Sequence, residues 1–166
     1  MFYSLMLVAP IPVCLYFAWT CFLSRRTYPL ILAPFAAEYG KRIRAHKKRL
    51  FAEFHSLNEN QGHTPFVVLE IGCGTGANFE FYPPGSEIIC VDANPHMTKY
   101  LLESAKRWPG VRIKSHHVAE AENLRHVVSS ESVDAVVCTL TLCSVRSVDA
   151  CLAEIIRVLK PVSTQH

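Results

Sequence analysis

The chain has 166 residues, half of them hydrophobic, with seven cysteines and a net charge of +3, enough for one modest domain with a core of its own. The charge is uneven: from Arg25 to His55 eight basic residues face only Glu38 and Glu53, a local net of +6, while nothing before Arg25 is charged and the region after His55 carries −3. A nucleic-acid binder spreads its cations over the folded domain, so this asymmetry argues against nucleic acid and for an anionic membrane surface; cysteines with neither Cys-x-x-Cys pairs nor a regular framework argue against a secreted disulfide scaffold and read as reduced thiols.

Met1 to Leu23 contains no charged side chain, and at about 1.5 Å per residue it is long enough to cross a bilayer core of about 30 Å. Residues 1–24 therefore read as a membrane anchor. A cleavable signal peptide fits less well, because the apolar stretch is too long, no basic residue precedes it, and Ser24-Arg25-Arg26 is a poor cleavage site. Pro10 and Pro12 leave two topologies open, a kinked transmembrane helix or a hairpin that returns to the same face. In both, Arg25 and Arg26 stay on the cytosolic side.

Residues 25–65 read as a basic amphipathic helix and a linker. Phe35, Tyr39, Ile43, Leu50, Phe54 and Leu57 recur at helical spacing, with Lys41, Arg44 and Lys48 between them. Two uses of this helix stand side by side: lying on an anionic leaflet, or packing on the folded domain with its basic face in water. The polar stretch from Asn58 to Pro65 is the linker, and a folded domain is expected over 66–161.

Val67 to Ile71 is a short aliphatic run broken at once by Gly72, Gly74 and Gly76. Such a run reads as a buried parallel strand turning into a helix through a glycine loop, with the loop N–H groups expected to be free for a ligand. The spacing is Gly-x-Gly-x-Gly rather than the Gly-x-Gly-x-x-Gly of dinucleotide binders, and Glu70 stands two residues before the first glycine. Carboxylates suit a cationic cofactor, whereas a pyrophosphate calls for a helix N-terminus and few acids. Cys73, inside the loop, is either a small space-filler or a reactive thiol. A short helix is expected from Ala77 to Tyr82, stopped by Pro83-Pro84-Gly85. A second strand from Glu87 ends at Asp92, and Asn94-Pro95 caps a helix with Met97, Leu101, Ala105 and Trp108 on one face. A third strand is expected over Val111 to Ser115, with His116 and His117 after it at a surface or loop, lacking a partner at metal-ligand spacing. A fourth strand from Ser132 to Leu140 leads to a loop ending at Ser144, and a helix from Val148 to Leu159 presents Leu152, Ile155, Ile156 and Leu159.

Glu70 to Gly76 resembles the first motif of the class I methyltransferases, which bind S-adenosylmethionine. That resemblance implies an α/β Rossmann-like sheet, here of about four parallel strands, preceded by the membrane segment. It implies that Glu70, Gly72, Gly74 and Gly76 hold the methionine end of the cofactor and that Asp92 accepts the ribose hydroxyls. Glu120 matches by type the acid that meets the adenine amino group, with Glu122 as the alternative. No catalytic residue and no metal are implied. The likeness runs from Val67 to Pro161; family members continue through three more strands, and residues 162–166 diverge as a short tail. The uncharged segment, the basic helix and the string from Val136 to Val145 are similar to the membrane-bound methyltransferase-like proteins of endoplasmic reticulum and lipid droplets. That narrower likeness implies a small lipophilic alkyl thiol as acceptor, with the domain facing the cytosol. The rival readings are an inactive, truncated membrane or lipid-droplet protein and a nicotinamide-dependent oxidoreductase. With four strands the sheet is expected to leave an apolar edge unpaired, and the chain by itself to transfer methyl groups little or not at all.

Overall fold

The computed structural model describes residues 27, 41–59 and 65–161; the expected membrane segment, most of the basic stretch before residue 41 and the tail lie outside the described residues. Four parallel strands, β1 (Val67–Ile71), β2 (Glu87–Asp92), β3 (Arg112–Val118) and β4 (Ala135–Cys138), pair in the order β3-β2-β1-β4. Helix α1 (residues 41–59), α2 (Thr98–Ala105) and α3 (Val148–Val158) accompany them. No helix among the described residues is long and apolar enough to cross a membrane.

Alternation along the strands divides the core into two layers. Val68, Ile88, Cys90, Ala135 and Val137 face Phe51 of α1 and Leu101 of α2. Val67, Leu69, Ile71, Ile89 and Val91 face Leu124 and, on α3, Cys151 and Val158. Glu70 lies two residues beyond Val68, so the same alternation turns its carboxylate toward the α1 and α2 layer. The chain builds β1, β2 and β3 outward, then crosses back to lay β4 on the other side of β1. The reversal falls between β1 and β4, and the crevice at the carboxyl ends of those two strands is where open α/β sheets bind ligands.

Buried carboxylates fasten the layers. Glu87, at the start of β2, is paired with Arg112 and, at 3.0 Å, with Lys114 of β3. Asp134 accepts from the Val67 N–H (2.8 Å) and from Lys160 (2.6 Å). Glu154 of α3 accepts from the Leu124 N–H at 2.8 Å and binds Arg157 through two hydrogen bonds of 2.9 and 2.7 Å.

Several elements differ from their sequence reading. The expected helix at Ala77 to Tyr82 is a single 3-10 turn, Phe79–Phe81, because Pro83 and Pro84 leave no room for another turn. Strand β3 continues through His116 and His117 to Val118; it is the edge strand, so one side needs no apolar run, and a register shift between Ile88 and Ile89 accommodates its length. Strand β4 is shorter than Ser132 to Leu140, since Leu140 takes a left-handed φ of 58° that ends it. Just ahead of it Val133 bridges Leu159 and the Lys160 N–H donates to the Val133 carbonyl (2.9 Å), while β4 itself has no strand on its outer side among the described residues, the edge expected from the sequence. On α3, Cys151, Glu154 and Val158 turn inward while Ile156 is 75% exposed, so the apolar residues wrap more than one face.

Helix α1 packs on the domain, but not by the expected stripe. Phe51 is buried against Phe54, Phe81 and Tyr82 at ring-centroid distances of 5.3, 5.5 and 5.2 Å, and Lys47 is buried one turn before it. Leu50 points outward, 70% exposed, with Leu57 on the same side. Residues 47, 51 and 54 form the inner face and 50 and 57 the outer, so the helical periodicity holds while the aromatic pocket sets its phase. Phe51→Ala is therefore expected to lower stability by about 3–5 kcal/mol and Leu50→Ala by less than about 0.5 kcal/mol in denaturant unfolding of the detergent-solubilised chain. The reverse order of costs would contradict this packing.

Candidate cofactor site

The crevice between β1 and β4 opens into a cavity of about 670 Å³. Its floor is Glu70 and the loop from Gly72 to Asn78; Lys41, Ile43, Arg44 and Lys47 of α1 form one wall; Met97, Tyr100, Ser104 and Trp108, on and beside α2, form another, and Thr139 and Leu140 after β4 line the switch-point side.

The glycines are required by backbone shape. Gly72, Gly74 and Gly76 have φ of 68°, 51° and 75°, a region that L side chains adopt only with strain. At Gly72 a Cβ would also stand 2.1 Å from the Thr141 Oγ1, which donates to the Ile71 carbonyl (3.2 Å) and so ties the loop after β4 to the end of β1. Four of the loop amides are not free, contrary to expectation. Those of Gly72 and Cys73 donate to the Val91 carbonyl (2.8 and 3.2 Å), that of Gly76 to the Cys73 carbonyl (2.9 Å), and that of Gly74 to Asp92 Oδ2 (2.8 Å). A pyrophosphate would find these four donors already engaged, which disfavours the nicotinamide reading.

Beneath the loop, Glu70 is 1% exposed. Asn78 Nδ2 donates to its Oε1 (2.8 Å) and the Tyr82 hydroxyl to its Oε2 (3.0 Å). Asn78 Nδ2 also donates to Thr139 Oγ1 (3.0 Å), and Lys47 Nζ donates to Asn78 Oδ1 (2.7 Å). Burial dominates and pushes the Glu70 carboxyl up to about 7, although Asn78, Tyr82 and the Lys47 charge pull it down. Burial likewise pushes the Lys47 ammonium below its ordinary value, against the pull of Glu70 and Glu80. The Tyr82 hydroxyl is driven well above its usual range by burial and by Glu70. Contact with Cys90, followed by burial, raises the Cys73 thiol far above the reactive range, which favours the space-filling role.

Glu70, Gly72, Gly74 and Gly76 thus share one cavity. Asp92 is not on its wall, but it is joined to it through Gly74, and its other oxygen accepts from the Asn94 N–H (2.8 Å). A carboxylate has about four acceptor positions, so Asp92 is held in place by two bonds with capacity left for ribose hydroxyls. Glu120 stands apart, half exposed and 3.4 Å from Arg146. Glu122 is spent on the fold, since its Oε1 accepts from the Arg146 and Ser147 N–H groups at the start of α3. Of these two acids, Glu120 is the more accessible to an adenine. Lys47, Asn78 and Tyr82 join the site without being expected there from sequence; Asn78 lies just past the motif, but nothing in the spacing marks the other two. These groups fit a cationic, ribose-bearing cofactor: a near-dry carboxylate, a fixed aspartate and four amides already bonded within the protein.

Two consequences are measurable. Gly72→Ala is expected to cost about 2–4 kcal/mol, through backbone strain and the Thr141 clash, against about 1–2 kcal/mol for Gly74→Ala, where strain acts alone. Below pH 4.5 Glu70 is protonated in folded and unfolded chains alike; between 4.5 and about 7 only the unfolded chain loses the proton, so its contribution to stability is full at low pH and lost as pH rises through 7. Glu70→Gln should then unfold about 3 kcal/mol later than the parent at pH 8, the gain shrinking toward zero below pH 4.5; equal stability at pH 8 would show that the carboxylate is not buried.

The methyltransferase domain family matches residues 69–164, more than half of the chain. Human thiol S-methyltransferase TMT1A is 39% identical over 144 residues, 87% of this chain and 57% of the relative. The rat thiol S-methyltransferase TMT1B is 41% identical over 134 residues, 81% and 54% of the two chains. The chain spans about half the length of the curated relatives it matches. Among solved structures, the YcgJ protein of Bacillus subtilis superposes with a TM-score of 0.54 at 25% identity, over 70% of this chain and 47% of that one. The trans-methyltransferase CalH in complex with SAH gives 0.55 at 17% identity, over 69% and 33%, a likeness of fold alone. The [4+2]-cyclase SpnF has the same fold, with a TM-score of 0.55 at 22% identity over 69% of this chain and 40% of that one, so architecture does not name the reaction. With the family match, the glycine loop and the switch-point cavity in agreement, the chain belongs to the methyltransferase domain family, in its class I fold, whose cofactor is S-adenosylmethionine.

Proposed function

We propose that this chain serves S-adenosylmethionine-dependent methyl transfer to a small lipophilic thiol, from a domain held on the cytosolic face of the endoplasmic reticulum membrane or a lipid droplet. The observation that carries the reading is the cavity at the β1/β4 switch point, floored by a buried carboxylate and reached on both sides by aliphatic and aromatic side chains. The thiol is supported by the names of the relatives at 39 and 41% identity. The membrane is supported by the uncharged first 23 residues and by α1, whose outer face combines Arg49 and Lys48 with exposed Leu50 and Leu57.

The cofactor, when bound, supplies a methyl group on a sulfonium, already activated for displacement. Glu70 and the loop would hold its cationic end and Asp92 its ribose. Thr139 and Leu140 stand across the loop, where an acceptor can approach. Transfer would form a carbon–sulfur bond to the thiol as the methyl–sulfonium bond breaks, the electron pair leaving with the thioether and the thiol proton passing to water. Most of the rate in such a displacement comes from alignment, worth roughly 7–11 kcal/mol when geometry is enforced. A second reading, a cofactor-binding chain that acts at the membrane or droplet surface without turnover, is favoured by Leu140, which lines the cavity and is yet 70% exposed: on this side the described residues leave the cavity open to water.

Labelled S-adenosylmethionine and an alkyl thiol, supplied to membranes carrying the chain, separate the readings. Methyl transfer that Asp92→Ala reduces supports the first; cofactor binding without transfer supports the second. Asp92→Ala should weaken binding by at least about tenfold, because charge-assisted hydrogen bonds are lost. No binding by the parent chain would sink both readings.

A further inference from the structure

Resting on the assignment of S-adenosylmethionine as the cofactor, we propose that Lys47 is a positioning residue of the site: acting through Asn78, it keeps the Glu70 carboxylate ionised and aimed at the ammonium group of the cofactor's amino-acid end. The relay is short and buried. Lys47 Nζ donates to Asn78 Oδ1 (2.7 Å), and Asn78 Nδ2 donates onward to Glu70 Oε1 (2.8 Å). Lys47 reaches it from α1, 31 residues before Asn78 in the chain, with its ammonium 5.8 Å from the centroid of the Phe81 ring. Lys47, Asn78 and Glu70 all line the cofactor cavity.

A buried lysine beside a site for an ammonium group needs a reason, because its charge repels that group. Its place in the relay supplies one. The groups facing Glu70 are Lys47 from α1, Tyr82 and Asn78 around the 3-10 turn, Cys73 in the loop, and Cys90 and Asp92 of β2; from the β4 side comes the uncharged Thr139, through Asn78. Among the described residues Lys47 is the only cation of this set, and Asp92 opposes it. Without Lys47, burial and Asp92 act against two neutral hydrogen bonds, and the carboxyl holds its proton to higher pH. A protonated Glu70 offers no charge to an ammonium. Asn78 takes part by orientation: with its carbonyl held by Lys47, its amide is left to point both hydrogens at Glu70 and Thr139.

The test compares the pH dependence of binding for three ligands: S-adenosylmethionine, S-adenosylhomocysteine, and 5′-methylthioadenosine, which lacks the amino-acid end. Equilibrium dialysis uses the full chain in detergent as parent, Lys47→Met, Lys47→Gln and Lys47→Arg. Lys47→Gln, which keeps a donor for Asn78 without the charge, carries the same expectation as Lys47→Met where the apolar variant does not fold. In the neutral variants, affinity for the two amino-acid-bearing ligands should begin to fall about one pH unit higher than in the parent, a loss of about fivefold at pH 7. Methylthioadenosine should bind unchanged, and Lys47→Arg should restore the parent profile. A parent-like profile in the neutral variants, or equal weakening of all three ligands, would overturn the proposal and make Lys47 a packing residue. A parent chain that binds none of the three would instead overturn the cofactor assignment.

Discussion

A carboxylate sealed under the glycine loop is the constraint around which the site is built. Glu70 has almost no contact with water, and a charge so placed is costly unless every lone pair it offers is met. Asn78, Tyr82 and Lys47 meet that cost in part, and the remainder shows as a carboxyl lifted to about 7. A group in that state gains the most when a cation arrives, because the ligand completes what the fold leaves unfinished. On the proposed assignment, the site trades stability in the free chain for affinity toward a positively charged ligand.

The same carboxylate explains why the surrounding elements sit where they do. Tyr82 closes the 3-10 turn, Asn78 reaches Thr139 beyond β4, and Lys47 draws α1 onto the sheet beside Phe51. Three segments distant in sequence are thus tied to one pair of oxygens at the switch point of the sheet. On the other side of the loop, Asp92 holds the Gly74 amide, so the glycine turn is clamped between two acids, one dry and one half-buried. Four of its amides, those of Gly72, Cys73, Gly74 and Gly76, bond within the protein, which separates this turn chemically from a phosphate cradle.

Much of this was legible in the sequence, and the illegible part has a common cause. The strand and turn from Val67 to Gly76 are encoded locally, by an aliphatic run and three residues able to take positive φ. Asn94-Pro95 is equally local, and its cap forms as read, with the His96 N–H donating to Asn94 Oδ1 at 3.0 Å. By contrast, the phase of α1 depends on where Phe81 and Tyr82 open a pocket, which no periodicity reveals, and in sequence Lys47 looks like any other solvated cation in a basic helix. His116 and His117 join β3 because an edge strand tolerates polar residues, a fact of sheet order rather than of composition. The distinct surroundings of Glu120 and Glu122 likewise depend on where α3 begins in space.

The most direct measurement of the central claim is the titration of Glu70 itself, followed by carbon-13 NMR of the glutamate carboxyl carbons and assigned by the resonance missing in Glu70→Gln. The expected midpoint is near 7 in the free chain, moving to lower pH when S-adenosylmethionine is bound, since a bound cation favours the ionised form. A midpoint near the ordinary 4.5 in the free chain, or one that the cofactor leaves where it was, would contradict a sealed carboxylate that a cationic ligand completes.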